Sequence, residues 1–340
     1  MAADSEGLTQ QEKTEKRLQF NRFFEEELAR EKRKAREKSG GVSPAAEKNW
    51  SISLTPSYGY DSNVNLGSPR KGDTYTEEII EGRIRLNHPG ILFFGPGNWG
   101  MGGSSDFFNY THMVSTNFNQ TVFNGFVDSK ITPEATFKLS YDLGSVNYDH
   151  DNQLSYSSHK FKPSIAYAWN KQWVETFYNT IEIKDYSKRR ALMADDFPSE
   201  KERRDVLYEA GTGFRFIPEK TKIFSVTAGY KKNNSNDSFN DFNDYQDLKV
   251  LGYAFFQLSQ NFSAVAYGGY DYKRYDGRSF LSTADRRETD SFFYSGGTLY
   301  YDFWKFGQLF ASYLYKQNYS NDPSQNYSGY TISSGITFTV

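Results

Sequence analysis

Hydrophobic and polar residues alternate along most of this chain, and the clearest case is its last stretch, residues 327–340. Its apolar positions are spaced two or four apart, with small or polar residues between them: Ile332, Ile336, Phe338 and Val340. A period of two predicts a β-strand with one apolar face. A strand this long would leave an exposed edge in an open sheet, so we interpret it as the closing strand of a barrel.

The same alternation recurs from residue 49 to the carboxyl terminus, in strand-like runs that are each followed by a break. Fourteen runs are predicted: 49–60, 74–87, 98–110, 117–132, 135–150, 153–170, 172–187, 204–217, 221–236, 244–259, 261–276, 288–304, 307–321 and 327–340. The number is even, and each run is long enough to cross a membrane as a tilted strand. The fold class predicted is therefore all-β: a closed, antiparallel, up-and-down transmembrane barrel of about fourteen strands.

The breaks alternate between tight turns and longer polar segments. Tight turns follow runs 4, 6, 8, 10 and 12, as at residues 133–134 and 170–171, whereas longer segments such as 187–203 and 277–288 follow runs 1, 7, 9, 11 and 13. Outer-membrane barrels have short turns in the periplasm and longer loops outside. We therefore expect this protein in the bacterial outer membrane, in contact with outer-membrane lipid.

Charged and apolar residues occupy opposite faces in several runs. In the run 172–187, Phe177 and Ile181 share one face, and Glu182 and Lys184 share the other. An Arg or Lys that faces lipid near the membrane centre costs about 2–4 kcal/mol, so the charged face is expected to point inward. Two interpretations stay open, namely a conducting path, or charges that pair between strands and fill the lumen. The predicted lumen-lining residues are Arg83, Arg85, Asp128, Lys138, Asp142, Lys160, Lys162, Glu182, Lys184, Glu209 and Arg215.

The tryptophans form a second pattern. All five fall at strand ends on the short-turn side of the predicted wall, where an aromatic girdle would meet the membrane interface. Ordinary core packing is the alternative. The predicted girdle consists of Trp50, Trp99, Trp169, Trp173 and Trp304.

Composition fits a wall that is apolar on one side and wet on the other. Aromatic residues make up 18% of the chain, while mean hydropathy is low, and no run approaches the ~20 apolar residues of a membrane helix. A soluble sandwich or a carbohydrate-binding β-protein would also suit these values. The net charge of -2 gives no reason to expect nucleic-acid binding, and the absence of cysteine excludes disulfides and thiolate metal sites. No signal peptide is visible, and we expect that one has been removed.

The amino-terminal segment differs from the rest of the chain. Residues 1–39 are charged and predict a periplasmic α-helix, in which Thr9 and Glu12 have the spacing of a capping box. Residues 40–48 form a linker to the barrel at 49–340. The helix is interpreted as a solvated helix, a self-association seam, a plug inside the barrel, or a dock for a periplasmic partner. Its narrow apolar face consists of Phe20, Phe24 and Leu28.

Candidate catalytic and metal sites are weak. Ser158 and His159 are adjacent, so a strand points them to opposite faces, whereas an outer-membrane hydrolase needs them together. His112 and His150 have no specific partner in the sequence. Residues 61–65 supply oxygen ligands for calcium without the spacing of a known calcium loop. We expect no enzymatic activity, no metal and no cofactor.

Residues 50–66 resemble the opening strand of bacterial outer-membrane barrels in which a Tyr-Asp-Ser-Asn-Val turn ends the first strand. The resemblance is nearest to the barrel domain of surface lipoprotein assembly modifiers, and it covers residues 50–340 as a pattern. It implies a barrel of fourteen strands. The ending Phe338-Thr-Val340 is similar to the signal that the barrel-assembly machinery reads, which implies that machinery as a partner during biogenesis. The modifiers carry periplasmic tetratricopeptide repeats, whereas this chain has one predicted helix there.

These patterns together predict passage across the outer membrane without catalysis. The barrel would be a channel, or an export and assembly conduit for a solute or a secreted or surface protein. The first alternative is a structural or adhesive anchor whose amino-terminal helix recruits a periplasmic partner. The second is an outer-membrane lipid hydrolase.

Overall fold

A computed structural model describes residues 49–64, 71–90, 95–114, 117–149, 155–192, 198–219, 221–237, 243–280 and 283–340. The predicted helix at 1–39 and the linker at 40–48 lie outside these ranges, so the helix face with Phe20, Phe24 and Leu28 stays a prediction. Within the ranges described, no helix has the length and apolar character needed to cross a membrane.

The described strands form one closed antiparallel barrel. Each strand pairs with its neighbours in chain order, and the first strand pairs with the last. The predicted closed up-and-down barrel of fourteen strands is therefore confirmed. The strands are β1 (Trp50–Asp61), β2 (Asp73–His88), β3 (Gly97–Tyr110), β4 (Phe118–Lys130), β5 (Ala135–Tyr148), β6 (Tyr156–Ala168), β7 (Trp173–Leu192), β8 (Pro198–Glu219), β9 (Lys222–Ser235), β10 (Tyr245–Gln257), β11 (Phe262–Phe280), β12 (Thr283–Trp304), β13 (Gly307–Ser320) and β14 (Tyr327–Thr339).

The two ends of the barrel differ in their connections. The turn end holds the start of β1, the end of β14 and the short connections at 131–134, 169–172, 258–261 and 305–306. The segment 89–96 between β2 and β3 is the longest connection at this end. The connection between β8 and β9 also lies at the turn end, and the opposite, loop end holds the remaining seven of the thirteen connections.

Two hairpins extend further at the loop end than the sequence predicted. β7 and β8 continue through most of the predicted loop 187–203, where Arg190 lies opposite Glu202. β11 and β12 likewise continue through the predicted loop 277–288. The loop assignments were wrong over most of their length because polar composition indicated loops. A strand that projects beyond the membrane can be polar on both faces and keep its backbone pairing.

The turn after β1 ties three strands together at the barrel seam. Asp61 accepts a hydrogen bond of 2.9 Å from the backbone N–H of Asn63, whose side-chain amide donates to the Ser328 carbonyl at 3.0 Å. Lys316 of β13 passes beside Gly329 of β14, and its ammonium lies 3.0 Å from the Asp61 carboxylate of β1. The Tyr-Asp-Ser-Asn-Val turn therefore has a structural task, which is to hold the last two strands against the first.

The registers give the wall two faces. Tyr294 and Lys184 are buried on one face, and because the wall is one layer thick, that face must be the inner one. The other face exposes large apolar side chains around the barrel, including Ile52, Met101, Phe123, Phe177, Val226, Leu248, Leu299 and Ile332. This outer face matches the lipid-facing surface of a membrane barrel.

Candidate functional site in the barrel lumen

The inner face carries most of the charged side chains of the strands. The strand alternation places all eleven predicted lumen residues there: Arg83, Arg85, Asp128, Lys138, Asp142, Lys160, Lys162, Glu182, Lys184, Glu209 and Arg215. On β2, Arg83 and Arg85 both contact side chains of other strands. The Arg83 Nε donates to Ser51 Oγ at 2.7 Å, and an Arg85 guanidinium nitrogen lies 3.7 Å from Asp128 Oδ2.

Acidic and basic residues alternate from strand to strand across β8–β12. We call this row the acid–base ladder. Within it, the ammonium of Lys231 lies 3.6 Å from Asp247 Oδ2. In the next row Lys249 lies 4.0 Å from Asp271. Opposite charges facing each other on neighbouring strands stabilise that register and disfavour a slip. The ladder consists of Glu209, Lys231, Asp247, Lys273 and Asp290, each directly opposite the next.

A shorter row of alternating charges crosses β5–β7. Lys160 lies directly opposite both Asp142 and Glu182, and Lys138 lies opposite Asp128. Five of the eleven predicted lumen residues therefore directly face an oppositely charged member of the same set on a neighbouring strand.

Sequence reasoning missed the part of the acid–base ladder on β9–β12. The inner face of these strands also carries apolar residues such as Leu251 and Phe255, so the period-two contrast between the faces is weak there. Opposite charges two residues apart in the sequence, such as Asp247 and Lys249 or Asp271 and Lys273, lie on the same face of a strand and could have identified the inner face of these strands.

Two apolar clusters occupy the inner face at different heights. The basal cluster lies towards the turn end of β9–β12: Ile223, Leu251, Tyr253, Phe255, Val265, Tyr267, Tyr294 and Tyr300. The rim cluster lies at the loop end, from the turn after β1 to β7: Val64, Tyr75, Phe108, Tyr110, Phe118, Val146, Tyr148, Tyr156 and Tyr186. The interior is thus apolar on opposite flanks of the barrel at its two ends.

Aromatic rings on the inner face also hold cations. The Lys184 ammonium lies 4.7 Å from the Tyr156 ring centre, and the Arg203 guanidinium lies 4.6 Å from that of Tyr186. Lys273, a member of the acid–base ladder, lies 3.8 Å from the Tyr245 ring centre. Such contacts attract a cation to the ring face and draw these side chains towards the wall.

The tryptophans all lie at the turn end. Trp50 and Trp173 begin their strands, Trp304 ends β12, Trp99 is the third residue of β3, and Trp169 follows β6. All five side chains are exposed. This placement has the geometry that an interfacial girdle requires.

Ser158 and His159 do not form the pair that a hydrolase site needs, and the one serine contact of His88 that the structure shows is 3.4 Å, between its Nε2 and Ser129 Oγ. Ser158 is buried on the inner face, whereas His159 is on the outer face, where its Nδ1 lies 2.6 Å from the Tyr141 hydroxyl. His112 contacts Asp73 at 2.8 Å and holds the segment after β3 against the start of β2. His150 lies outside the described residues, and in the described ranges no group of three or more His, Asp or Glu side chains has the arrangement of a metal site.

Comparisons with known proteins concern the fold. No protein-family model and no curated protein matches the chain. The outer membrane channel DcaP of Acinetobacter baumannii superposes with a TM-score of 0.49 at 10% identity, covering 86% of this chain and 96% of that one. OmpT, an outer membrane protein of Vibrio cholerae, gives 0.47 at 7% identity, covering 86% and 96%. A bacterial polysaccharide outer membrane secretin gives 0.46 at 8% identity, covering 85% and 97%.

At these values the likeness carries nothing about substrate or assembly, and the resemblance to surface lipoprotein assembly modifiers stays a prediction. The wall itself is more informative. It is closed, its outer face is apolar, and its inner face is charged. The protein is a channel-like β-barrel of the bacterial outer membrane.

Proposed function

We propose that this protein conducts solutes across the bacterial outer membrane and has no catalytic role. The observation that carries the proposal is the row of charged residues on the inner face, behind a wall whose outer face is apolar. A charged solute entering lipid loses its hydration at high cost, and a charged inner face supplies alternative polar partners.

The path is expected to follow the β2–β7 flank in the turn half of the barrel, because the basal cluster occupies the opposite flank. Arg85 stands on this route with 54% of its side chain exposed. Lys162 faces the same interior, opposite Ser140, with its ammonium 4.8 Å from the Tyr178 ring centre. We propose that these two cations influence which solutes pass.

Ion selectivity in planar bilayers tests this function. Reversing the charge at Lys162 with Lys162→Glu should raise the cation-to-anion permeability ratio by about threefold, because the field in a low-dielectric channel acts on the passing ion. The measurement is the reversal potential in a salt gradient. Lys171→Glu makes the same change in the turn after β6, outside the lumen, and should shift the reversal potential by less than half as much as Lys162→Glu.

Equal shifts in both variants, or no conductance from the unmodified protein, would count against a conducting path. Export or assembly of a surface protein is a narrower form of the proposal, supported by the resemblance of residues 50–66. In that form the barrel-assembly machinery remains the expected partner during biogenesis.

A structural anchor is the second candidate, and the two apolar clusters and facing charges of the interior favour it. In that case the predicted helix at 1–39 would recruit a periplasmic partner. A stable closed trace both with and without residues 1–39 would support the anchor. Phe24→Asp distinguishes two roles of the helix, since loss of an oligomer indicates a self-association seam and increased conductance indicates a plug.

A further inference from the structure

Exposed basic side chains lie on the outer face at the loop end of one flank. We call Arg204 of β8, Lys232 of β9, Arg274 of β11 and Arg287 of β12 the basic outer patch. Lys232 lies opposite Gln246 of β10, which in turn lies opposite Arg274. Lys232 and Arg274 are therefore two strand spacings apart, or about 10 Å between their Cα atoms.

The patch stands where the apolar belt of the wall ends. Tyr230, Leu248 and Tyr272 lie opposite one another in the preceding row, and all three are exposed on the outer face. Lys232 and Arg274 follow these tyrosines by two residues on the same strands, so they lie on the same face one step nearer the loop end. Tyrosines commonly mark the membrane interface, which places the two cations at headgroup level.

The basic side chains of the outer face at this end are confined to this flank. On β2–β6 the outer-face residues at the same height are uncharged or acidic: Thr76, Glu78, Asn109, Asn119, Asn147 and Ser157. If Lys and Arg side chains served only to reach the membrane interface, they would be distributed around the whole barrel. Their clustering on one flank therefore indicates a more specific role.

Acidic neighbours occupy only part of the patch. Arg204 is paired with Asp185 at 2.5 Å, and Asp276 accepts a hydrogen bond of 3.3 Å from Gln246. Lys232 and Arg274 have no ion pair with an acid in the described part of the chain. Two cations at headgroup level thus remain available to an anion from outside the protein.

We propose that the basic outer patch binds the phosphate groups of a phosphorylated lipid in the outer leaflet. The guanidinium of Arg274 offers paired donors to a phosphate, and the flexible ammonium of Lys232 adds a second positive charge. The apolar row of Tyr230, Leu248 and Tyr272 accommodates the acyl chains below. The proposed ligand is the lipid and not free phosphate, because free phosphate would not contact that apolar surface.

The proposal uses the membrane orientation given above but does not require conduction, so a closed barrel leaves it standing. Binding of lipid A with two phosphates to the full chain in detergent is the test, followed by native mass spectrometry. Lys232→Gln with Arg274→Gln should weaken binding about tenfold, because two charge-assisted contacts are lost. Lipid A without phosphates should bind the unmodified protein as weakly as this variant binds the phosphorylated form.

The matched control is Lys171→Gln with Lys305→Gln, which removes the same charge at the turn end and should change affinity less than about twofold. Lys232→Arg should retain affinity, which keeps the proposal testable if the double variant does not fold. Heat-dependent gel mobility reports folding. Equal losses at both ends, unchanged affinity in the patch variant, loss of binding in Lys232→Arg, or displacement by equimolar inorganic phosphate would overturn the proposal.

Discussion

A buried ion pair closes the barrel at the scale of single residues. Lys316 and Asp61 retain 7% and 0% side-chain exposure and lie 3.0 Å apart, although they belong to strands that flank β14 on either side. Gly329 stands between them on β14, and a larger side chain there would meet Lys316 and Asn63. A desolvated pair of this kind depends on both partners, because either charge alone stays buried.

Removing one charge of this pair should therefore destabilise the barrel. Lys316→Met leaves the Asp61 carboxylate buried without the lysine and should lower the free energy of unfolding by about 3–5 kcal/mol. The measurement is urea-dependent refolding in lipid vesicles. Adding Asp61→Asn to this variant should recover most of the lost free energy of unfolding. The control is Lys232→Met, which replaces an exposed lysine and should lower the free energy of unfolding by less than about 0.5 kcal/mol. A single variant as stable as the unmodified protein would rule out this role.

Neighbouring residues within a strand meet different solvents. On β4, Phe123 is 61% exposed on the outer face, whereas the next residue, Asn124, lies on the inner face opposite Asp142. This contrast follows from the period of two and from the thickness of a single sheet. The same backbone segment therefore offers an internal comparison between lipid and lumen.

A charge introduced on the two faces of β4 should have unequal effects. Phe123→Arg places a guanidinium against lipid near the middle of the strand and should cost about 2–4 kcal/mol of folding free energy. Asn124→Arg places the same group beside Asp142 and should cost less than about 1 kcal/mol. Refolding titrations in vesicles measure both. Equal costs would mean that the outer face does not contact hydrocarbon.

The whole molecule is polarised between its two ends. The turn end carries the tryptophans, and the loop end of the β8–β12 flank carries the basic outer patch. Such polarity orients a barrel across a membrane whose two interfaces differ. We propose on this basis that Trp50, Trp99, Trp169, Trp173 and Trp304 form an interfacial girdle on the periplasmic side.

Depth-dependent quenching tests the girdle. Lipids brominated near the headgroup should quench tryptophan fluorescence at least about twice as strongly as lipids brominated near the chain ends, because indoles at an interface lie far from the bilayer centre. The measurement is steady-state emission in vesicles of each lipid. Stronger quenching from the chain ends would place the tryptophans in the hydrocarbon core and exclude the girdle.

The sequence by itself determined the number of strands, their alternation and the closed wall. These features depend on local physics, since a period of two sets the faces and the cost of a charge in lipid sets which face points out. The faces of Lys138, Lys160 and Glu182 follow from that rule alone. The same rule missed the inner-face charges of β9–β12, where apolar residues such as Leu251, Phe255 and Val265 share the inner face.

Only the tertiary structure decided which residues meet. The acid–base ladder, the two apolar clusters and the basic outer patch each depend on registers between strands, which no single strand contains. Lys316 and Asp61 are 255 residues apart in sequence, and their pairing exists because the chain closes on itself. The length of the β7–β8 and β11–β12 hairpins was decided in the same way, by backbone pairing that continues where composition alone indicates loops.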